Sequence, residues 1–336
     1  MITTPNTLQV IFKRKEFTIQ PNSLTESKQE FTDNEKNILS YVLNQLRRDV
    51  LDTWQEGQNL EYLIPVSELT DKNHTRVMAT AKSMMHKRII TYDNPEGVII
   101  DGVTIYFQGY VPFPNVEYIK IGNQSFIQLI MLANVVPYFI YLSKQYTRYS
   151  LDTILSMQSV YSQRIYEILM MNVGRKQMQF TYTFEKLKFI LNCPDSYTFS
   201  EIRKRALEPA QKELKEKADI YFTFKETLKV GKRVDELTFY IKTKKDAALD
   251  ALSDEAVEFD KSTPLEKRDH VLRMLNNYKF SKAQQNDIMS DPKKWSVFMQ
   301  LDAEIFHGLR TDIENPTAYI AKSLGFDKVS AKTKSK

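Results

Sequence analysis

The segment Ile220–Thr243, IYFTFKETLKVGKRVDELTFYIKT, decides the fold of this 336-residue chain. Apolar side chains occupy alternate positions in both of its halves: Ile220, Phe222 and Phe224, then Leu237, Phe239 and Ile241. An unbroken period of two predicts two strands that each bury one face. The residues between the two halves, Lys229–Arg233, include a glycine and three basic side chains. The segment therefore predicts a β-hairpin with a positively charged tip.

Helical segments precede this hairpin. The pattern predicts a long helix over Leu151–Met171, a strand over Gln179–Thr183, a short helix over Phe184–Leu191 and a third helix over Thr198–Lys217. Pro209 lies inside the third helix and is expected to kink or restart it, because proline has no backbone N–H to donate. This order is that of a winged helix, in which the third helix enters the major groove of DNA and the hairpin reaches the neighbouring backbone.

A similar order occurs earlier in the chain. Thr32–Glu35 is a capping box, in which a hydroxyl and a carboxylate satisfy each other's free backbone N–H groups at the start of a helix. The next predicted elements are a strand (60–64), a short helix (65–69), a helix (75–87), a strand (89–92), a turn (94–97) and a returning strand (98–106). We therefore predict an α+β fold with two pseudo-duplicated winged-helix domains, followed by a helical C-terminal extension.

The same patterns suggest six parts. Residues 1–30 are polar and weakly patterned, and residues 246–260 hold six acidic and no basic side chains. The predicted parts are an extended N-terminal arm (1–30), two winged-helix domains (31–143 and 144–245), an acidic linker (246–264), a helical region (265–325) and a basic disordered tail (326–336).

One apolar stretch, residues 126–142, has nearly the length of a membrane span. It is slightly shorter than the roughly 20 residues that a span needs, and Gln128, Asn134 and Pro137 interrupt it. We interpret it as a buried segment that joins the two domains. The N-terminus lacks the pattern of a signal peptide, and the single cysteine, Cys193, provides no disulfide framework. We therefore expect a cytoplasmic protein without a membrane partner.

Positive charge is concentrated in one part of the chain. The net charge is +5. Residues 172–245 hold 17 basic and 10 acidic side chains, a net of +7, whereas residues 1–171 and 246–336 each have a net of −1. A polyanion is therefore expected to bind the second winged-helix domain.

The side chains predicted to contact double-stranded DNA lie on the third helix and on the hairpin tip. In the second domain they are Thr198, Ser200, Arg203, Lys204, Arg205, Lys212, Lys229, Lys232 and Arg233. The planar guanidinium of arginine can bond guanine O6 and N7 together, and hydroxyls with free N–H groups at a helix start suit a phosphate. The first domain offers a weaker set: Lys72, Asn73, Arg76 and Lys82.

An alternative stays open for the basic helix. In this alternative its basic side chains form a solvated face, paired with the acidic residues of the same helix: Glu201, Glu208, Glu213 and Glu216. The hairpin of the first domain, residues 98–121, is apolar and aromatic, and we expect it to pack against the second domain or to form a dimer with a second copy of the chain.

The motifs of several enzyme classes are missing from the sequence. Its four histidines include no His-x-His pair, which a rolling-circle nuclease uses for its metal. Glu226 stands where a phosphate loop before Gly231 requires glycine, and no cysteine–histidine spacing fits zinc. We therefore expect no catalytic residue, no metal and no cofactor. Polymerase, primase or nuclease activity is kept as an alternative.

The segment Tyr149–Leu169, YSLDTILSMQSVYSQRIYEIL, resembles the replication initiators of iteron-bearing bacterial plasmids. The family motif S-x-Y-S-x-R-(I/L)-Y-E-(I/L)-L matches residues 159–169, and the later stretches RKRALEPAQKEL and ELTFYIKTK follow in the family's order. An upstream stretch, RVMATAKSMMHKRIITY, is similar to the third helix and first wing strand of the family's first domain. Arg164 and the motif tyrosines are interpreted as structural residues.

The resemblance implies a function at a plasmid origin in a bacterial cytoplasm. Monomers of the family bind tandem repeats, help to open the duplex and recruit the host initiator and the replicative helicase, while dimers repress their own gene. Because the first domain is not basic and its hairpin is apolar and aromatic, we expect this domain to carry the dimer surface and an auxiliary DNA contact. The main alternative is a winged-helix transcriptional repressor without a role in replication.

Overall fold

The capping box at Thr32 starts a long helix, as predicted: the Glu35 carboxylate accepts the Thr32 N–H at 2.8 Å. The computed structural model describes residues 6–46, 53–69, 71–140, 146–231, 233–244, 246, 259, 261–306, 309–310 and 313–326. The chain divides into two units, Met1–Ile241 and Lys242–Lys336. Both predicted winged helices lie in the first unit.

The first domain contains helices, the strands of two sheets, and β2, which pairs with a later strand. Its elements are β1 (Thr7–Val10), β2 (Phe17–Pro21), α1 (Asn22–Thr25), β3 (Lys28–Gln29), α2 (Asp33–Gln45), β4 (Asn59–Pro65), a 3-10 helix (Val66–Glu68), α3 (His74–Met84), β5 (Ile89–Ile100), β6 (Val103–Tyr110), β7 (Asn115–Ile121), β8 (Gln124–Met131) and α4 (Pro137–Ile140). The predicted strand, short helix and third helix between residues 60 and 87 are confirmed.

The two sheets of this domain surround one core. One sheet has the order β1-β4-β8-β7, with β1 parallel to β4 and the other pairs antiparallel, and the second has the order β3-β5-β6. Apolar side chains from α2 and from the larger sheet are fully buried together: Leu39, Val42, Leu60, Ile127 and Leu129. The apolar face of α2 and the inward-facing side chains of β4 and β8 therefore pack in the same core.

The hairpin of the first domain turns later than predicted. β5 continues to Ile100, and the chain reverses at Asp101 and Gly102. Both residues have positive φ, 48° and 80°, as a two-residue hairpin turn requires, and Asp-Gly is a preferred sequence for that turn. The turn predicted at residues 94–97 is instead an irregularity within the strand, where the pairing register shifts between Asp93 and Val98.

The prediction of an extended N-terminal arm at residues 1–30 is also corrected, because the described residues 6–30 are part of the fold. β2 pairs antiparallel with β9 (Tyr146–Ser150). The polar side chains of this region are buried because they satisfy one another: Gln20 donates to the Thr25 hydroxyl at 2.8 Å, and the Tyr149 hydroxyl donates to Gln20 at 3.0 Å. Residues 1–5 lie outside the described part.

The apolar stretch at 126–142 is a sheet strand and a short helix rather than a linking segment. Ile127, Leu129 and Met131 of β8 are fully buried, and Val136 and Phe139 follow them into the same core. Residues 141–142 lie outside the described part. Among the described residues, no helix has the length and hydropathy needed to cross a membrane.

The second domain has the predicted winged-helix order. Its elements are α5 (Leu151–Ser156), α6 (Val160–Gly174), β10 (Gln179–Thr183), α7 (Phe184–Ile190), α8 (Phe199–Ile202), a π-helical segment (Arg203–Leu207), α9 (Glu208–Lys217), β11 (Ile220–Val230) and β12 (Arg233–Thr243). The sheet order is β10-β12-β11. The two alternating strands are confirmed, with Phe222, Leu237 and Phe239 buried in the core.

The long helix predicted over 151–171 is two helices. α5 ends at Ser156, and α6 begins after Ser159, which has extended backbone angles (φ −113°, ψ 128°). The break has a packing reason, because α5 faces two cores: Leu151 and Leu155 join the core of the first domain, whereas Ile154 joins that of the second. A single straight helix over these residues would keep its apolar face in one direction, so it could not supply side chains to both cores in this way.

A buried cluster of three charges joins α2 to α6. Lys36 Nζ lies 2.6 Å from a Glu167 carboxylate oxygen, and Arg164 contacts the other oxygen. The three side chains are at most 2% exposed. Arg164 also donates to the backbone carbonyls of Thr25 and Ser27, at 2.7 and 2.8 Å. One carboxylate therefore balances two cations at the contact between the domains, and the structural role predicted for Arg164 is confirmed.

Burial shifts the ionisation of this cluster. Desolvation is the main cause that lowers the pKa of Lys36 to about 8; Arg164 acts in the same direction, while Glu167 opposes both. Burial raises the pKa of Glu167, but the charges of Lys36 and Arg164 outweigh it and hold that pKa below its ordinary value. Lys36 therefore loses its proton more easily than an exposed lysine does.

The second unit is helical, as predicted. It contains α10 (Pro264–Leu275), α11 (Lys282–Ser290), α12 (Pro292–Phe306) and α13 (Pro316–Ser323), and its core includes Val271, Leu275, Ile288, Phe298 and Ile320. Most of the predicted acidic linker and residues 327–336 of the predicted tail lie outside the described residues.

We expect Glu167→Gln to lower the free energy of unfolding by about 3–5 kcal/mol, because it leaves two buried cations without a counter-charge. Lys36→Met is the matched control: it leaves the Arg164–Glu167 pair balanced, so the free energy of unfolding should stay within about 1 kcal/mol or rise. Urea unfolding followed by circular dichroism measures both. A Glu167→Gln protein as stable as Lys36→Met would contradict this role of the carboxylate.

Candidate nucleic-acid interface

The third helix of the second domain contains one π turn. The Glu208 N–H donates to the Arg203 carbonyl, five residues earlier, at the end of the π-helical segment. Pro209 follows in the first turn of α9, where its missing N–H is tolerated. The α-helix therefore stops at Ile202 and restarts at Glu208, which confirms the prediction made from Pro209.

The π turn presents three basic side chains to solvent. Its buried side is formed by Ile202, Ala206 and Leu207, which anchor the turn in the core of the domain. Arg203, Lys204 and Arg205 are all exposed. The structure therefore places the three residues predicted to reach base edges on one exposed turn. The buried side chains of this turn hold its backbone against the core of the domain.

Both arginines of this turn have partners within the protein. Arg203 Nε donates to a Glu208 carboxylate oxygen at 2.9 Å. The Arg205 guanidinium lies 5.3 Å from the centre of the Tyr197 ring, within the range of a cation–π attraction. The sequence analysis did not predict a role for Tyr197. The feature that could have indicated it is an aromatic residue directly before the first residue of a basic helix. Lys204 and Lys212 are exposed and have no ion-pair partner in the described part of the chain.

Thr198 has a structural role at the start of this helix. Its backbone N–H and its hydroxyl both donate to the Glu201 carboxylate, at 2.8 and 3.0 Å. These two bonds hold the pKa of Glu201 below its ordinary value. The Glu201 carboxylate thus lies where the sequence predicted a phosphate. Thr198 and Ser200 are both exposed, and phosphate binding by either residue stays a prediction.

The hairpin tip carries cations that are paired with carboxylates. Lys229 Nζ lies 2.5 Å from Glu226, and Arg233 donates to Glu185 of α7 at 2.7 Å. Lys232 lies outside the described residues. The first residues of β12, next to the hairpin tip, and the start of the third helix meet in one groove, whose lining includes Arg233, Thr198 and Ser200. The structure thus brings the two predicted contact elements together at one side of the domain.

The predicted contacts of the first domain are partly committed to local structure. The Asn73 side chain accepts the Arg76 N–H at 3.2 Å and so caps α3. The Arg76 guanidinium makes two bonds to Asp71, at 2.5 and 3.0 Å. Lys72 and Lys82 are exposed. Two of the four residues predicted here, Asn73 and Arg76, are thus bonded within the N-terminal turn of α3 and the residues before it.

The hairpin of the first domain differs chemically from that of the second. No lysine or arginine occurs between Arg88 and Lys120. Four of its large apolar side chains are more than half exposed: Ile99, Val103, Tyr106 and Phe107. A surface without basic residues does not suit a phosphate backbone. Among the described residues, no group of three or more His, Cys, Asp or Glu is arranged to hold a metal ion.

These features define a protein with two winged helices, of which the second carries the exposed basic elements. Residues 18–170 match the family described as Initiator Replication protein, WH1, and residues 183–241 match Initiator Rep protein, WH2. The chain belongs to this family of replication initiator proteins, which confirms the resemblance based on the motif at residues 159–169. Neither match extends beyond residue 241.

Two known proteins illustrate the relationship. A replication initiation protein of Escherichia coli is 22% identical over 229 residues, which are 66% of this chain and 67% of that protein. The crystal structure of the Pi initiator protein in complex with iteron DNA matches with a TM-score of 0.50 and 16% identity, over 69% of this chain and 98% of that one. This second likeness supports the duplicated winged-helix fold.

We expect Thr198→Ala to lower the free energy of unfolding by about 0.5–2 kcal/mol, because it removes the hydroxyl that caps the helix and donates to Glu201. Ser200→Ala is the matched control: it changes a neighbouring exposed hydroxyl and should shift stability by less than about 0.5 kcal/mol. Thermal or urea unfolding distinguishes the two. Equal stability of the two variants would remove the capping role of Thr198.

Proposed function

We propose that this protein initiates plasmid replication by binding repeated double-stranded DNA sites at an origin. The observation that carries the proposal is the exposed basic turn Arg203–Arg205, in a region of net charge +7 in a chain of the initiator family. The Pi initiator, which shares the fold, binds iteron DNA. We further propose that the protein acts in the bacterial cytoplasm through binding, without a catalytic activity of its own.

In this proposal the second domain is the main DNA reader. The π turn enters the major groove, and Arg203 and Arg205 bond the O6 and N7 acceptors of guanine. Lys204, Lys212 and the hairpin tip contact phosphates on either side, which fixes the orientation of the domain but carries no sequence information. The buried side of the π turn supports this arrangement, because it holds the backbone of the turn in place.

The first domain adds a second, weaker contact. Lys72 and Lys82 of the α3 region are available for the neighbouring major groove of the same repeat. Because the buried Lys36–Glu167–Arg164 cluster connects the two domains, the second contact forms at high effective concentration after the first. Affinity for a full repeat then exceeds that of either domain alone.

The later steps of initiation are proposed from family membership. Binding to adjacent repeats would help to open the duplex and would bring the host initiator and the replicative helicase to the origin. A dimer would bind an operator and repress the gene of the protein. A repressor without a replication role would need the same interface, so plasmid maintenance with the protein supplied in trans distinguishes the two functions.

We expect Arg203→Ala and Arg205→Ala each to weaken binding to a repeat from the DNA flanking the gene by about 1–3 kcal/mol. Lys322→Ala, an exposed lysine of the second unit, is the matched control and should leave affinity unchanged. Footprinting identifies the repeats, and fluorescence anisotropy measures the dissociation constants. Equal losses in all three variants, or no protected repeat, would overturn the DNA-binding assignment.

Self-association is proposed through the β5–β6 hairpin. β6 is an edge strand, and its side chains Tyr106 and Phe107 are 60% and 57% exposed. An exposed edge strand with apolar side chains is a template for pairing with another chain. The lack of basic residues in this hairpin fits a protein partner better than DNA.

We expect Phe107→Glu to weaken dimerisation at least about tenfold, a loss of about 1.4 kcal/mol, by placing charge in the paired strands. Ile11→Glu, which changes another exposed apolar residue, is the control and should have no effect. Sedimentation velocity over a concentration series gives the dimer dissociation constant. Unchanged association of Phe107→Glu would place the dimer contact elsewhere.

A further inference from the structure

We propose that Glu208 is a specificity-determining residue, which keeps Arg203 from DNA phosphates and releases it to a base edge. This inference rests on the proposed DNA-binding function and concerns how the same surface distinguishes its repeat from other DNA. The contact is direct, because Arg203 Nε donates to the Glu208 carboxylate at 2.9 Å.

The π turn creates this contact. In an α-helix, two side chains five residues apart point about 140° away from each other, since successive residues are about 100° apart. A π turn is wider, with backbone bonds that span five residues, so residues i and i+5 come to the same side. The backbone bond from Glu208 to the Arg203 carbonyl is such a bond. Without this turn, Arg203 and Glu208 would not meet.

The pair is accessible to DNA. The side chains of Arg203 and Glu208 are 52% and 50% exposed. An ion pair this exposed is weak, because water screens both charges. Arg203 is therefore restrained without being locked, and a ligand with better bonding geometry can displace the carboxylate.

Specific and non-specific DNA offer Arg203 different exchanges. On non-specific DNA, a phosphate would replace the carboxylate, so that one oxyanion is exchanged for another and little affinity is gained. The displaced carboxylate also remains beside the phosphates, where it repels them. In the correct repeat, guanine offers two acceptors in the plane of the guanidinium, and Arg203 exchanges one bond for two. The carboxylate thus penalises the non-specific complex more than the specific one.

The other cations of the surface differ in whether a carboxylate is bound to them. Lys229 and Arg233 of the hairpin are paired with Glu226 and Glu185. Lys204 and Lys212 have no ion-pair partner among the described residues, and lysine acts on phosphates as a point charge. The unpaired lysines are thus available for the first, sequence-independent contact, while Arg203 is retained for the base edge.

The test compares Glu208→Gln with Glu216→Gln. Glu216 lies on the same helix, is exposed, and has no ion-pair partner in the described part of the chain, so its change removes the same charge without freeing an arginine. Fluorescence anisotropy measures the affinity of each variant for duplexes of the repeat and of a scrambled sequence, at several salt concentrations. Circular dichroism and thermal unfolding verify that each variant is folded.

We expect Glu208→Gln to raise affinity for the scrambled duplex by about three- to fivefold, and to steepen the slope of log K against log salt by up to about 0.9, the value for one added phosphate contact. Affinity for the repeat should change less, so that the ratio of the two affinities falls. Glu216→Gln should raise both affinities alike and keep the ratio. In an Arg203→Ala background, Glu208→Gln should then behave as Glu216→Gln does.

Two results would overturn the proposal and differ from failure of the proposed function. If Glu208→Gln and Glu216→Gln change the affinity ratio equally, Glu208 has no specific role, although the protein still binds its repeat. If Glu208→Gln lowers the ratio equally in the Arg203→Ala background, the effect does not act through Arg203. If the wild-type protein does not prefer the repeat over the scrambled duplex, the DNA-binding function itself fails, and this inference fails with it.

Discussion

The two winged helices depend on one buried carboxylate. Glu167 contacts Lys36 from the first domain and Arg164 from its own helix, and all three side chains are removed from water. Neither cation is tolerated there without the carboxylate, because an unpaired buried charge costs several kcal/mol. The bonds from Arg164 to the carbonyls of Thr25 and Ser27 extend the contact to the N-terminal segment. The relative position of the two domains is therefore fixed by charge as well as by apolar packing.

Much of the fold is predictable from local patterns, and the exceptions have physical reasons. The hairpin at 220–243 is predicted because alternating burial leaves a direct trace in the sequence. The segment at 6–30 is missed because its buried residues are polar. Gln20 and Thr25 resemble solvated residues until their partners, Thr147 and Tyr149, are brought beside them by the fold. The break between α5 and α6 is missed because the apolar residues of α5 continue the helical spacing of α6, although they pack in two different cores.

The candidate interface is predictable in part. The clustering of Arg203–Arg205 identifies the exposed turn, since three consecutive basic residues among helical apolar positions must face water. Their partners are not predictable in the same way. Pro209 indicates that the helix is interrupted, but it does not specify a π turn, and only that turn places Glu208 beside Arg203. Tyr197 lies in the loop before the helix, and the fold of that loop places its ring beside Arg205.

The connection of the N-terminal segment to α6 has a consequence for synthesis on the ribosome. Arg164 follows Thr25 by 139 residues, so at about 5–20 residues per second the Thr25 carbonyl is made roughly 7–28 s before its partner. In the same way, β2 is synthesised well before its pairing partner β9. The first domain therefore cannot complete its fold when its own last strand emerges. It becomes complete only after the first helices of the second domain have been translated, which couples the order of folding to the order of translation.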